Sequence, residues 1–390
     1  MIFNKKKYLP YGRHTVTKED LINVLNVLRS SNLTQGDKVP LLEKAISEKV
    51  NCKNSIAVNS ATSALHLTCL ALGLNQNDWL WTSANTFVAS ANCGRYCNAK
   101  VDFVDINPKT GLICTDALEK KLEVAKENNK LPKILVPVHF AGSSCDMEKI
   151  ASLSKKYKFN VVEDASHALG GKYKNEPVGS CFYSIATIFS FHPVKIITTA
   201  EGGAITTNDD QLAKKLFLLR SHGITKVQEE FESNEFEDWT YEQQILGFNF
   251  RMSDLHASLG ISQLKRLDKI IVERNKKFEY YQDLIKELPI NLLEIPKNVK
   301  SSVHLAIIRL QEKDPNLHRK IFTELRKMNI GVQIHYLPVH LHPYYKKLGF
   351  KVGDYPKAEL HSKNCITIPL YLGMDKKDQN RVVKSLKSLL

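Results

Sequence analysis

The chain has 390 residues, 43% hydrophobic and 25% charged, which suits a globular enzyme of two domains or of one large and one small domain. No apolar run approaches the ~20 residues that span a bilayer, and the start Met1-Ile2-Phe3-Asn4-Lys5-Lys6-Lys7 has basic residues but no apolar stretch after them, so no signal peptide and no membrane are expected and the cytoplasm is the expected location. A net charge of +14 admits a nucleic-acid-binding regulator, yet the lysines are scattered and the nearest basic run with aromatics, Lys155-Lys156-Tyr157-Lys158-Phe159, matches no such motif; it reads as a solvated face, and a basic surface equally favours an anionic substrate such as a nucleotide diphosphate.

In chain order, Thr17-Lys18-Glu19-Asp20 opens an amphipathic helix with Leu21, Val24, Leu25 and Leu28 on one face, and a second helix covers 41–50. From residue 55, strand and helix alternate. Ile56-Ala57-Val58 is a short strand that runs into Asn59-Ser60-Ala61-Thr62-Ser63-Ala64-Leu65-His66-Leu67, a loop and then a helix. Strands follow over 100–106 and 134–138, Asp146 caps a helix that runs to Tyr157, and further strands cover 160–164, 185–191 and 204–207. Such alternation predicts a mainly parallel sheet with helices on both faces. The character changes near residue 245. A long helical pattern starts at Ser253-Asp254 and runs, with a break, toward Leu288; strands over 304–310 and 331–336 flank a helix over 317–328, and a last helix covers 376–390. The expectation is an α/β chain with a large domain over 1–245, the N-terminal helix included, and a smaller C-terminal α+β domain over 246–390.

The eight cysteines are dispersed, and Cys93 and Cys97, four apart, have no second pair at zinc-finger spacing. Free, mostly buried thiols in a reducing compartment are expected, and no metal.

In doubly wound sheets, ligands sit beyond the carboxyl ends of the strands. Three groups fall there. Ser60-Ala61-Thr62-Ser63 opens a helix whose N–H groups and dipole favour an anion; read alone it is equally an ordinary Ser/Thr cap. Asp164 ends a strand that begins with the apolar pair Val161-Val162. A carboxylate there can hold a pyridine nitrogen protonated and make the ring an electron sink, or simply cap a turn. His167, three residues on, can hydrogen-bond a ring substituent or be structural. Lys195 lies in Ser190-Phe191-His192-Pro193-Val194-Lys195, between an apolar strand and the mostly small run Ile196-Ile197-Thr198-Thr199-Ala200-Glu201-Gly202-Gly203. Desolvation there lowers an amine's pKa, and a neutral amine can form a Schiff base. The interval from Asp164 to Lys195 leaves room for one hairpin or crossover. Schiff-base lysine, pyridinium partner and phosphate cup are what pyridoxal phosphate (PLP) needs together.

With these residues in place, the chain resembles the DegT/DnrJ/EryC1 sugar-nucleotide aminotransferases, which are PLP enzymes of fold type I. The resemblance runs over nearly the whole length. It includes Leu33-Thr34-Gln35-Gly36, the Asn59 to Leu65 loop, Glu163-Asp164-Ala165-Ser166-His167-Ala168-Leu169-Gly170, Ser190 to Gly203, Arg220-Ser221-His222-Gly223 and Gly247-Phe248-Asn249-Phe250-Arg251-Met252. It implies that Lys195 forms the Schiff base and moves the proton, that Asp164 pairs with the pyridine nitrogen and that His167 sits near the ring hydroxyl. It further implies that Ala61, Thr62 and Ser190 bind the phosphate and that Phe87 stacks on the ring. Asn249 would reach the phosphate of a neighbouring subunit, so the resemblance implies a homodimer. Pro10-Tyr11-Gly12-Arg13, Ala84 to Cys93 and Gln333-Ile334-His335-Tyr336-Leu337-Pro338-Val339 resemble the pseudaminic-acid branch. That branch implies amino transfer from glutamate to C4 of a UDP-linked 4-keto-6-deoxy-N-acetylhexosamine. Aminotransferases for other 3-keto or 4-keto sugars, of GDP-perosamine or dTDP-sugar type, share every residue named. A PLP sugar dehydratase of the same scaffold would have histidine where Lys195 stands. His335, His340 and His342 are expected to line a nucleotide-sugar cleft or to pack beside it.

Overall fold

The computed structural model describes residues 7–233, 237–312 and 314–390; residues 1–6, read above for a targeting signal, lie outside them. Two helices, α1 (Lys18–Leu28) and α2 (Lys38–Val50), precede an alternating run: β1 (Asn54–Val58), α3 (Ala61–Ala71), β2 (Trp79–Ser83), α4 (Ala89–Tyr96), β3 (Lys100–Val104), α5 (Thr115–Glu127), β4 (Ile134–Val136), α6 (Met147–Tyr157) and β5 (Asn160–Asp164). A hairpin, β6 (Lys172–Tyr173) and β7 (Glu176–Pro177), fills the interval before β8 (Ala186–Ser190). Then come β9 (Gly203–Thr207), α7 (Asp210–Arg220), the short pair β10 (Ile224–Thr225) and β11 (Glu242–Gln243), α8 (Asp254–Leu264) and α9 (Leu267–Leu284). The chain finishes with β12 (Ile290–Leu292), β13 (Val299–Lys300), β14 (Ala306–Leu310), α10 (Pro315–Lys327), α11 (Pro343–Lys346), α12 (Pro356–Asn364), β15 (Cys365–Ile368) and α13 (Lys376–Lys387).

Seven strands form the main sheet in the order β1-β9-β8-β5-β4-β2-β3. The pairs from β8 across to β3 are parallel, while β9 runs antiparallel to both of its neighbours. Helices cover both faces, so the central strands read as continuous apolar runs rather than alternating ones. Ile56, Val58, Ile134, Val162, Ile188 and Ile205 are fully buried, each contributing about 1.5–3 kcal/mol of burial. A second, antiparallel sheet, β12-β14-β15, buries Ile308, Ile366 and Ile368 against Leu325 of α10 and Leu386 of α13. Local caps punctuate the helices: Thr17 and Asp20 close a capping box on α1, Ser60 in extended conformation caps α3, and Asp146 accepts the Lys149 N–H at the head of α6.

One expectation is corrected and one strand is added. The sequence reading has no strand over 79–83, yet Trp79–Ser83 is an internal strand of the sheet, with Trp81 buried. The segment 331–336 is not a strand; only Gln333 makes a lone bridge, to Thr367. The stripe of α1 points outward, with Leu21, Leu25 and Leu28 all exposed. Its buried face carries Val27 and Asp20, whose carboxylate accepts from Gln263 Nε2 (2.9 Å) and Arg266 Nη2 (2.6 Å). The helix is thus held by an ion pair against the α8–α9 junction instead of by its leucines. The break in the long helical pattern falls at that junction, between Leu264 and Leu267.

Candidate functional site

β1, β5 and β8 all point their carboxyl ends at one cleft of about 540 Å³, within the range of cofactor and ligand pockets. Ser60, Ala61, Thr62, Phe87, Asp164, His167, Ser190 and Lys195 all line it. Asn249 does not: it is an exposed residue on a segment that borders β1, where Arg251 bridges Val58 and Asn249 bridges Ser221.

At one end of the cleft is the start of α3. The Ser60 hydroxyl accepts the Ser63 N–H at 3.1 Å, which leaves the Ala61 and Thr62 N–H groups as the helical donors without an intrahelical acceptor. Gly203, the first residue of β9, packs directly against them. A Cβ built there would stand 2.6 Å from the Ala61 nitrogen and 2.7 Å from the Ser60 carbonyl carbon. Close approach of strand and helix therefore requires glycine, and it fixes where the helix dipole points.

At the other end, Asp164 is held from two sides. Ser90 Oγ donates to its Oδ2 at 2.6 Å, and the Ser166 N–H donates to Oδ1 at 3.1 Å. A hydroxyl has one proton, so the Thr86 hydroxyl, 2.8 Å from Ser90 Oγ, must donate in turn. This Thr86–Ser90–Asp164 chain is buried and fixes the direction of the carboxylate at the end of β5. Behind it, the Cys145 N–H donates to His139 Nδ1, so the His139 proton sits on Nε2 and faces Glu163. The His139 N–H donates to the Asp164 carbonyl at 3.0 Å, which anchors the end of β5.

Burial, and next the charge of Lys195, hold His167 well below its ordinary pKa, so its imidazole is neutral. Burial raises the Tyr336 phenol, with the charge of Asp164 adding to the effect; its hydroxyl lies 3.3 Å from His167 Nε2. As the phenol keeps its proton and donates, His167 Nδ1 carries the N–H, and among the described residues that buried atom has no hydrogen-bond partner. Lys195 sits in the turn after β8, its N–H donating to the His192 carbonyl at 2.9 Å. The residue is half-buried and lines the cleft. Burial lowers its pKa to about 8, against the opposing pull of Asp164. Phe87 stands at the rim, more than half exposed, its ring 6.2 Å from that of Tyr336.

These features fit PLP. Free helix N–H groups would suit a phosphate, an anchored carboxylate would suit a pyridine nitrogen, the unpartnered His167 Nδ1–H would suit a ring oxygen, and a lysine of lowered pKa lines the same cleft. Sequence reading missed Thr86, Ser90 and Tyr11, which also line or support the cleft. Thr86 precedes α4 and Ser90 lies in a run of small residues, so no periodic signal marks them. His335 lines the cleft, whereas His340 is buried against Glu359 outside it. Among the described residues no group of His, Cys, Asp and Glu is placed to hold a metal ion, and no helix is long and apolar enough to cross a membrane.

Comparison with known proteins gives a consistent result. Residues 14–387 match the model of the DegT/DnrJ/EryC1/StrS aminotransferase family. The UDP-4-amino-4,6-dideoxy-N-acetyl-beta-L-altrosamine transaminase of Campylobacter jejuni is 38% identical over 385 residues, covering 98% of this chain and 97% of its own. The Bacillus subtilis spore coat polysaccharide biosynthesis protein SpsC is 35% identical, covering 100% and 99%. Among solved structures, Helicobacter pylori PseC, an aminotransferase of pseudaminic acid biosynthesis, superimposes with a TM-score of 0.89 at 32% identity, covering 98% of this chain and 99% of its own. The PLP form of the sugar aminotransferase Spr1654 of Streptococcus pneumoniae gives 0.89 at 29% identity, covering 98% of each.

Proposed function

This chain belongs to the DegT/DnrJ/EryC1/StrS aminotransferase family, and from that premise we propose that it moves an amino group from glutamate to C4 of a UDP-linked 4-keto-6-deoxy-N-acetylhexosamine. The product is then UDP-4-amino-4,6-dideoxy-N-acetyl-β-L-altrosamine, an intermediate toward pseudaminic acid. The observation that carries the chemistry is Lys195 beside Asp164 in a cleft closed by the α3 N-terminus. The likeness to the altrosamine transaminase over 98% of the chain supports the substrate. PLP, when bound, supplies the electron sink that lets a Cα proton leave.

Each residue then has one task. The Lys195 amine anchors the cofactor and, once freed by the incoming amine, takes the Cα proton and returns it. Asp164, fixed by Ser90 and Ser166, holds a proton on the ring nitrogen. His167 donates to the ring oxygen, Ala61, Thr62 and Ser190 hold the phosphate, and Phe87 covers one ring face. Tyr11, Gln333 and Tyr336 line the cleft and are placed to meet the sugar nucleotide. Asn249 acts on the site of a second copy, so the working unit is a homodimer. We take 1–245 as the cofactor domain and 246–390 as the smaller domain. All eight cysteines are free, which fits a reducing compartment, and we place the enzyme in the cytoplasm.

The test is a coupled assay of glutamate with a panel of keto sugar nucleotides, reading 2-oxoglutarate release. The UDP-linked 4-keto-6-deoxy-N-acetylhexosamine should give the highest kcat/KM. Preference for a dTDP- or GDP-linked or 3-keto sugar would overturn the substrate while leaving transamination intact. A dehydratase reading is disfavoured by the lysine at 195.

A further inference from the structure

Between β13 and β14, three consecutive buried residues, Ser302, Val303 and His304, cross over to the turn that carries His167. The Ser302 hydroxyl donates to the His167 carbonyl at 2.8 Å. The centroid of the His304 ring lies 4.4 Å from that of the His167 ring, and both residues line the cleft. Burial holds His304, like His167, well below its ordinary pKa, so two neutral imidazoles pack here. Val303 sits between the two contacts at φ +48°, a left-handed conformation that a β-branched residue keeps only where its surroundings force it. The Ser302 N–H donates to the Gly142 carbonyl at 3.0 Å and the His304 N–H to the Ala141 carbonyl at 2.8 Å. A Cβ on Gly142 would stand 2.7 Å from the His304 nitrogen, so this crossing requires glycine. From α9, the buried Arg274 donates through Nε to the Val303 carbonyl at 2.7 Å. Its Nη2 donates to the His304 carbonyl at 2.6 Å and the Leu370 carbonyl at 3.2 Å. A guanidinium is a rigid fork and its hydrogen bonds are charge-assisted, so Arg274 fixes two successive carbonyls and with them the direction of the His304 side chain.

We propose that Arg274, acting through the strap Ser302-Val303-His304, positions the His167 imidazole for the cofactor ring. The strap holds residue 167 at two points, its carbonyl and its ring, and the Tyr336 hydroxyl meets Nε2 as a third. With the ring so confined, the His167 Nδ1–H, unpartnered among the described residues, keeps one direction before the cofactor arrives. An imidazole free to turn would have to be ordered on binding, which weakens affinity. The proposal rests on the assignment of His167 to the ring oxygen. Arg274, Ser302 and His304 act through His167 and are positioning residues.

The experiment titrates PLP into the cofactor-free full-length protein and follows the visible band of the bound cofactor. It compares wild type, His304→Ala, His167→Ala and the double variant. His304→Ala should weaken PLP binding roughly tenfold and move the band maximum in the same sense as His167→Ala. Added to His167→Ala, it should change neither the Kd nor the band further, because the ring it positions is gone. Arg274→Lys keeps the charge but loses the fork, and should shift the band as His304→Ala does. An unchanged Kd in His304→Ala overturns the proposal, and so does weakening by the same factor in both backgrounds. If His167→Ala itself leaves Kd and band unchanged, the assignment of His167 falls, and the strap's role falls with it. Ser302→Ala removes one hydroxyl and runs the same cycle should His304→Ala fail to fold. Its weakening should be smaller and should again vanish in the His167→Ala background.

Discussion

Lys195 is the residue on which the chemistry turns, and its lowered pKa of about 8 makes a sharp prediction. The amine must be neutral to capture PLP, so uptake by cofactor-free enzyme should slow about tenfold per pH unit below 8 and level off above it. A lysine at its ordinary 10.5 would keep accelerating well past pH 9. The rate at which a visible, borohydride-bleached band appears measures this directly. Lys195→Arg should show no such band and lose about a thousandfold or more in kcat. Ser90 is the next residue to test. Ser90→Ala removes one donor from the buried Asp164 carboxylate, an effect of about 1–3 kcal/mol, so kcat should fall roughly tenfold to a hundredfold with the fold intact. Unchanged kcat would show that Ser166 alone holds the carboxylate. Lys195 and Asp164 were legible in sequence because Asp164 ends one apolar-led strand and Lys195 follows another within five residues. Ser90 was not, since a serine in a run of small residues carries no mark of the carboxylate it faces across 74 positions.

At the scale of elements, the cofactor cup depends on how closely β9 approaches the head of α3. Gly203→Ala would place a methyl carbon 2.6 Å from the Ala61 nitrogen, and backbone cannot rotate away as a side chain can. The strand and helix must separate, and the phosphate donors move with them. The expected outcome is loss of PLP on gel filtration with the far-ultraviolet circular dichroism retained. Full PLP retention would show that the cup tolerates the shift. The elements themselves were largely readable, because caps such as Ser60 and Asp146 and buried β-branched strands follow local rules. Trp79–Ser83 was lost to its polar lead-in, Asp78. The segment 331–336 was lost for a different reason: its alternation of apolar and polar residues matches a strand, but beyond the single Gln333–Thr367 bridge it lines the cleft with Ile334, His335 and Tyr336 instead of pairing along an edge. Tertiary placement overrode the period.

For the molecule as a whole, the single chain leaves features that a second copy would explain. Leu21, Leu25 and Leu28 form an apolar stripe on α1 that faces outward, and Trp239 and Leu246 are 78% and 83% exposed. Sequence periodicity detects such a stripe but cannot say which partner covers it. Asn249, close to Leu246 in the chain, is exposed and outside its own chain's cleft. If the proposed homodimer is right, each site takes Lys195 from one chain and Asn249 from the other. Lys195→Arg should be inactive by itself. Asn249→Asp should be strongly impaired, since a carboxylate would face the cofactor phosphate. In a hybrid of the two variants, one site carries both changes and the other neither. Co-expressed hybrids, separated by different tags, should therefore recover up to about half of the wild-type activity per dimer. Were Asn249 to serve its own chain's site, every hybrid site would hold one lesion and activity would stay at the level of the two parents. That single comparison separates a shared site from two self-contained ones, and it does so without relying on the size of either single-variant effect.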